Sequence, residues 1–336
     1  MRATPKTLAC SMILLAVLLA AAVLVSLGAG TVYTPLATVW KWLLGEPVET
    51  SLAVILSNFR LPRIILAALA GASLSMCGTA FQGLLRNPLA EPFILGVSGA
   101  AAAGAVSCYI SGFTGPEWTA ISAFAGAGVA ILMVLGVSRR SGRMDTTTMI
   151  LTGVMINAFF TAVIMFLISV ADEHKLQAIM FWLYGDLSGA TLKQARLLGP
   201  VVLLGGLMLF FHSRKLNLLI AGEHTAAAAG VQVEKTKLLL FLLASLLTGV
   251  TVSLSGLIGF VGLVVPHLVR IAFGQDHRLQ IPAAGLFGAF FLLIADTFAR
   301  TIIGPAQLPV GVITAFLGVP FFLGLMGGKG SHWWSR

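Results

Sequence analysis

Long apolar runs, separated by short polar connections, recur from one end of the chain to the other. A helix that crosses a lipid bilayer needs about 20 predominantly apolar residues. Runs of this kind predict ten spanning helices, centred near residues 19, 71, 102, 128, 158, 203, 247, 265, 292 and 318. The span near 265 is short and is interrupted by Pro266. The predicted fold class is therefore an all-α polytopic membrane protein, with a single transmembrane domain over residues 1–336.

Composition and charge agree with that topology. With 58% hydrophobic and 10% charged residues, and a mean hydropathy of +0.97, the chain has too little polar surface for a soluble protein. If the N-terminus is cytoplasmic, fourteen Lys and Arg residues fall on the inner side and seven on the outer side. This asymmetry follows the positive-inside rule, so both termini are predicted to be cytoplasmic, and the net charge of +9 indicates membrane lipid rather than nucleic acid as a partner. The inner set comprises Arg2, Lys6, Arg86, Arg139, Arg140, Arg143, Arg214, Lys215, Lys235, Lys237, Arg270, Arg278, Lys329 and Arg336.

Two irregular segments interrupt the apolar pattern. The first, residues 85–99, contains Pro88 and Pro92, which cannot continue a helix, and small residues follow it. The second comprises residues 256–270. Around it, residues 247–274 match residues 69–96 at an offset of 178, with seven identities in 28 positions. Chance remains an explanation in a chain rich in Gly and Leu. A true repeat would start five spans later and so be inverted, which is a common transporter architecture.

The polar residues exclude several classes of protein. Of the twelve acidic residues, only Asp296 is predicted to lie within a span, with Arg300 four residues later on the same helix face. A proton-coupled carrier needs ionisable residues along its path, so a stand-alone secondary transporter is disfavoured. The Gly328–Lys329 pair lacks the other residues of a P-loop, and no hydrolase motif occurs. We therefore expect no enzyme activity, no metal site and no cofactor bound by this chain.

A set of motifs resembles the FecCD/BtuC-like permease family of bacterial ABC importers, which take up iron–siderophore complexes, haem and cobalamin. The motifs are Arg60-Leu-Pro-Arg63, Arg86-Asn-Pro-Leu-Ala-Glu-Pro92, Gly96-Val-Ser98, Gly259-Phe-Val-Gly-Leu-Val-Val-Pro-His-Leu-Val-Arg270, Ala295-Asp-Thr-Phe-Ala-Arg300 and Leu308-Pro-Val-Gly-Val-Ile-Thr314. The resemblance implies a type II importer permease fold with about ten helices, in the bacterial inner membrane.

The same resemblance implies partners and a substrate class. The partners are a second permease copy in a homodimer, two cytoplasmic ATP-binding subunits that use ATP and Mg, and a periplasmic or lipid-anchored substrate-binding protein. The implied cargo is a metal chelate, with iron(III)–siderophore as the first expectation. Haem and cobalamin are the alternatives within the family.

Three arginines lie at predicted outer ends of spans, against the positive-inside bias: Arg60, Arg63 and Arg300. Membrane anchors that extend their charged ends to water would explain this position alone. The family resemblance instead implies that they dock glutamates of the binding protein, through contacts that set register and association rate.

Four residues match cytoplasmic gates of the family: Asn87 and Leu89 in the first irregular segment, and Thr146 and Thr147 at the start of the fifth span. For the threonines the alternative is a helix N-terminus capped by Asp145 or by a threonine. Both roles can hold together.

The inner segment 214–237 resembles the coupling helices that contact the ATPase in this family. Its short alanine-rich helix is expected to enter a groove on the partner, with Gly230 as the C-terminal stop. An ordinary connecting helix is the alternative. The residues assigned to coupling are Glu223, Ala226, Ala227, Ala228 and Gly230.

Overall fold

The structure is a computed structural model that describes residues 5–113, 115–139, 144–304 and 306–327. These residues form helices and connections, without a strand among them. Both chain termini, Arg140, Arg143 and the Gly328–Lys329 pair lie outside the described residues. The helices are α1 (Pro5–Gly28), α2 (Leu36–Leu43), α3 (Thr50–Val54), a π-helical turn (Ile55–Arg60), α4 (Leu61–Leu84), α5 (Val97–Ile110), α6 (Pro116–Ser138), α7 (Thr146–Ser169), α8 (Glu173–Leu183), α9 (Leu192–Phe211), α10 (Ser213–Ala221), α11 (Glu223–Ala228), α12 (Val233–Ser255), α13 (Val261–Phe273), α14 (His277–Ala299) and α15 (Val310–Gly327).

The helices confirm the all-α polytopic class. In the described part of the chain, seven helical segments are long and apolar enough to cross a membrane. The other three predicted spans coincide with shorter apolar helices, α5, α13 and α15. Because these three fall below the length of a typical span, the count of ten spanning helices stays a prediction.

Helix α4 lies at the centre of the bundle. It continues from α3 through the π-helical turn as one helical run, Thr50–Leu84, in which 78% of the most apolar window is buried. In α12 and α14 the buried share is 61%, whereas in α1, α6, α7 and α9 it is at most 28%. The outer helices therefore present apolar side chains to the surroundings, as expected of a protein in lipid.

Glycine lets the central helices approach closely. A Cβ atom added to Gly71 of α4 would lie 2.1 Å from the carbonyl oxygen of Gly288 in α14. A Cβ atom on Gly78, two turns further along α4, would lie 1.9 Å from the carbonyl oxygen of Gly262 in α13. Without a hydrophobic driving force between helices in lipid, such backbone packing supplies much of the association energy.

The first irregular segment separates α4 from α5 as predicted, but residues 261–270 of the second belong to α13, and Pro266 does not interrupt the predicted eighth span. Helix α13 passes through Pro266 without a break. It is short because Gly256 and Gly274, both at positive φ, end the regular backbone before and after it. The hydroxyls of Ser73 in α4 and Thr251 in α12, which the offset of 178 relates, lie 2.6 Å apart. The inverted repeat itself stays a prediction.

Candidate docking, gating and coupling sites

One end of the bundle holds a buried group of charges, the arginine cluster, formed by Arg60, Arg63, Asp296 and Arg300. Asp296, in the last turn of α14, has no exposed surface. The Arg63 Nε atom donates to both of its carboxylate oxygens at 3.0 Å, and Nη2 donates to Oδ1 at 2.9 Å. The Arg300 Nε atom lies 3.6 Å from Oδ2. One carboxylate thus faces two guanidinium groups from two helices.

Arg63 Nη1 donates to Gln307 Oε1 at 2.5 Å, whereas the donors of Arg60 and Arg300 bind the end of α1 and the connection that follows it. Arg60 donates to the carbonyl oxygens of Leu27, Gly28 and Val32, while Arg300 donates to the carbonyl and hydroxyl oxygens of Ser26. The last carbonyls of a helix have no partner within the helix. The two guanidinium groups therefore fix the end of α1 against α4 and α14.

All three arginines are buried, although the sequence places them at the ends of apolar runs. Their exposed fractions are 5% for Arg60, 6% for Arg63 and 5% for Arg300, because each guanidinium is used within the chain. This also argues against membrane anchors, whose charged ends reach water. Docking of a binding protein stays a prediction, and these contacts give the residues a structural role in addition.

The predicted gate residues of the first irregular segment lie at the opposite end of α4. Asn87 Oδ1 accepts a hydrogen bond from the Leu89 N–H at 2.9 Å, which forms a local turn. Leu89 is 40% exposed and Asn87 is half-buried. The preceding residue, Arg86, has a φ of 47°, and its guanidinium donates to the Leu219 carbonyl at the end of α10. This turn is therefore attached to the predicted coupling helices.

The other pair of predicted gate residues begins α7. Asp145 caps the helix: its Oδ2 atom accepts from the backbone N–H and the hydroxyl of Thr148, both at 2.7 Å. These two hydrogen bonds hold the pKa of the Asp145 carboxyl below its usual value. The capping role is confirmed, with Thr146 half-buried and Thr147 exposed beside it. The gate role stays a prediction.

Helices α10 and α11 form a coupling segment, residues 213–230, at the same end. It is shorter than the predicted 214–237, because α12 already begins at Val233. Gly230, at a φ of 83°, ends the segment as expected. Ala227 and Ala228 are exposed, as a contact with a partner requires. Ala226 is completely buried within the chain, so its assignment to the ATPase contact is wrong.

Two further contacts hold the coupling segment against the bundle. The side chain of Asn217 donates to Asp276 at 2.8 Å and accepts from the backbone N–H of His277 at 3.0 Å. Asp276 caps α14 and binds Arg278, whose hydrogen bond lowers the pKa of the Asp276 carboxyl to about 2. Glu223, one of the residues assigned to coupling, forms an ion pair with Lys237 of α12 at 2.6 Å. The structure thus brings the coupling segment together with both predicted gates and leaves the arginine cluster apart from them.

Sequence reasoning missed an apolar cavity of about 650 Å³ beside α13 and α15. Its walls include Phe93, Tyr184, Phe260 and Phe316. These residues come from four separate parts of the chain, and their one shared signal is aromaticity, which is also typical of lipid-facing positions. The cavity could therefore be found only from the fold.

A second missed feature is the carboxyl group of Glu91 in the first irregular segment. Its Oε2 atom is buried without a hydrogen-bond partner, and the backbone N–H of Phe260 faces the group. The signal in the sequence is an acidic residue between Ala90 and Pro92, close to the apolar run that follows. The Glu91 side chain as a whole is half-buried, unlike that of Asp296.

Comparison with known proteins decides the family. A model of the FecCD transport family matches residues 18–327. The chain belongs to the FecCD transport family. It is an ABC importer permease and therefore a membrane protein with several spanning helices. Permeases of this family lack an ATPase site of their own, which agrees with the absence of a P-loop from the sequence.

Several FecCD-type permeases are similar over most of their length. The ABC transporter permease protein YvrB of Bacillus subtilis is 41% identical, covering 90% of this chain and 89% of YvrB. The cobalamin import system permease protein BtuC of Halobacterium salinarum is 42% identical, and the match covers 83% of this chain and 75% of BtuC. The hemin transport system permease protein HmuU of Yersinia pestis is 41% identical, and the match covers 80% of this chain and 82% of HmuU.

A solved structure supports the same fold. It shows an ABC transporter assigned to the metal-chelate type in an inward-facing conformation. Its chain is 29% identical to this one, with a TM-score of 0.83, and the match covers 95% of this chain and 99% of that chain. The predicted importer fold is therefore confirmed.

Proposed function

We propose that this permease moves a metal chelate, iron(III)–siderophore, across the bacterial inner membrane. It acts as a homodimer with two cytoplasmic ATP-binding subunits and receives its cargo from a periplasmic or lipid-anchored binding protein. The partner subunits use ATP and Mg, and the permease itself binds no cofactor.

The observation that carries this proposal is the attachment of the coupling segment to both predicted gates. Arg86, next to the gate residue Asn87, binds Leu219 of the segment. Lys237 binds Glu223 of the segment and the carbonyl of Met144, which precedes the cap of α7. A surface moved by a partner at Ala227 and Ala228 would therefore act on both gates directly.

The apolar cavity supports a bulky cargo. A pocket for a drug-sized molecule typically has a volume of about 300–1,000 Å³, and the cavity beside α13 and α15 falls in that range. Its walls carry aromatic and aliphatic side chains, so they would let a chelate slide past without holding its charge. In a homodimer the facing cavity of the second copy would complete the passage.

A stand-alone secondary carrier is the alternative from another class. Such a carrier needs a carboxyl group that can exchange a proton on the pathway. Asp296 is held between two guanidinium groups at one end of the bundle. Glu91, which has one buried oxygen atom, is the carboxyl that a proton-coupled mechanism would have to use instead.

The arginine cluster supports docking through its field rather than through solvated side chains. The cluster holds three guanidinium groups and one carboxylate, which pairs with two of them, and such an excess of positive charge attracts an acidic partner and raises its association rate. The association rate of the binding protein should therefore fall as ionic strength increases. A rate independent of salt would contradict docking at this end.

Haem and cobalamin form a second candidate cargo class, because relatives at 41% and 42% identity carry names for hemin and cobalamin transport. A ferric-citrate import permease, YfmE of Bacillus subtilis, is 34% identical. Identity to these relatives therefore does not favour iron–siderophore over the tetrapyrroles.

Uptake by cells that contain the whole transporter tests the cargo. The cells are given radioactive iron bound to a siderophore, radioactive haem or radioactive cobalamin, and a strain that lacks the permease serves as the control. The proposal expects permease-dependent uptake of the siderophore-bound iron. Permease-dependent uptake of haem or cobalamin alone would replace that cargo by the second candidate.

A further inference from the structure

Lys237, in the second turn of α12, lies at the meeting point of three elements. Its Nζ atom lies 2.6 Å from Glu223 Oε1 of α11 and 3.7 Å from Glu234 Oε1, one turn earlier in α12. The same atom donates to the carbonyl of Met144 at 3.0 Å. Glu234 Oε2 in turn accepts from the Met144 N–H at 2.6 Å. We call this group the Lys237 junction.

In this junction the lysine side chain is buried, whereas the two glutamate side chains are exposed. The Lys237 side chain is 6% exposed, whereas Glu223 and Glu234 are 41% and 37% exposed. A buried lysine without partners is costly, because its ammonium group loses hydration. Two short contacts, to Glu223 and to the Met144 carbonyl, and the longer ion pair with Glu234 position the ammonium between groups from three elements.

The junction leads directly to the start of α7. Met144 has its backbone N–H on Glu234 and its carbonyl on Lys237, and the next residue, Asp145, is the cap of α7. Lys237 also acts electrostatically on the Asp145 carboxyl. One ion pair and one backbone hydrogen bond therefore connect α11 to the residue that precedes the cap of α7.

We propose that Lys237 is a positioning residue that transmits movement of the coupling segment to the gate at the start of α7. This inference rests on the proposed function, in which a partner ATPase moves α11. In the sequence Lys237 is one inner basic residue among fourteen, and its partners lie 14 and 93 positions away. The role follows from the contacts alone.

Lys237→Met tests the inference, because methionine fills a similar volume without the charge. Lys235→Met is the matched control: Lys235 lies two residues away in the same helix and is exposed. Each variant is assembled with the ATP-binding subunits and the binding protein in liposomes, and ATP hydrolysis and cargo uptake are measured together. We expect Lys237→Met to lower uptake per ATP hydrolysed at least tenfold, while Lys235→Met matches the wild type.

Hydrogen–deuterium exchange of residues 144–151 supplies a readout that a purely structural role would not change. In the wild-type complex, addition of ATP and vanadate should alter exchange in this segment. In Lys237→Met the nucleotide should have no effect there, although the ATP-binding subunits remain bound. Lys237→Arg, which keeps the charge, should restore part of the response.

The outcomes separate the inference from the proposed function. If the wild-type complex shows no ATP-driven uptake, the proposed function fails. If the wild type transports and Lys237→Met keeps both its uptake per ATP and its exchange response, the inference fails. Should Lys237→Met not fold, Glu223→Ala removes the α11 side of the junction and leaves Lys237 bonded to Met144. That variant must then show the same loss of coupling, or the inference is overturned.

Discussion

The change Asp296→Asn probes the arginine cluster most sharply, because one carboxylate is the sole counter-charge of buried guanidinium groups. Arg63 binds it with three contacts of 2.9–3.0 Å, and Arg300 lies 3.6 Å from it. Breaking a buried ion pair by removing one partner typically costs about 3–5 kcal/mol, since an unpaired buried charge remains. At about 1.4 kcal/mol per factor of ten, the equilibrium between folded and unfolded protein should shift by roughly 10² to 10⁴.

Asp172→Asn is the matched control for this prediction. Asp172 pairs with Lys175 at 3.4 Å, but its side chain is 72% exposed. Exposed pairs contribute about 1 kcal/mol or less. The same chemical change should therefore have a small effect at Asp172 and a large one at Asp296.

Thermal unfolding of the purified permease in detergent measures both variants. A dye that fluoresces on reaction with thiols reports unfolding, because Cys77 and Cys108 are buried in the folded chain and Cys10 contributes a constant background. We expect a much lower unfolding midpoint for Asp296→Asn than for Asp172→Asn. Equal midpoints would show that the carboxylate does not hold the arginines, and the account of their burial would be wrong.

Three other predictions concern packing, capping and coupling. Gly71→Ala should lower the unfolding midpoint, because overpacking typically costs about 1–3 kcal/mol, whereas Gly128→Ala, with open space around it, should not. Asp145→Ala should cost about 1 kcal/mol by removing the cap of α7, measured in the same assay. Ala226→Trp should destabilise the isolated chain, while Ala228→Trp, at an exposed site, should leave the chain stable and abolish ATP-driven uptake by the complex. If Ala228→Trp left ATP-driven uptake unchanged, the partner contact would lie elsewhere.

The helices could be predicted because hydrophobic length is a local property of the sequence. All ten predicted centres fall within apolar helices, and the cap at Asp145 could be read from the residues beside it. The number of spanning helices could not be fixed in this way, because α5, α13 and α15 are shorter than a typical span. Pro266 misled the prediction of a break, because a proline six residues into α13 does not interrupt the helix in this bundle.

The burial of the arginines could not be predicted, because their partners are distant in the sequence. Asp296 lies 233 residues from Arg63, and Ser26 lies 274 residues from Arg300. Their position at the ends of apolar runs indicated that they lie at the protein surface. They are buried because α1, α4 and α14 pack around them. The Lys237 junction could not be predicted for the same reason, because Met144 lies 93 residues before Lys237 in the sequence.

Transport by the reconstituted protein tests the central claim most directly. Liposomes contain either the permease alone or the permease with its ATP-binding subunits, and both receive the binding protein loaded with siderophore-bound radioactive iron. The account predicts uptake by the complete transporter only when ATP and Mg are present on the side of the ATP-binding subunits. It predicts no uptake by the permease alone under a proton or a sodium gradient. Gradient-driven uptake by the permease alone, lost in Glu91→Gln, would contradict the account and identify a secondary carrier.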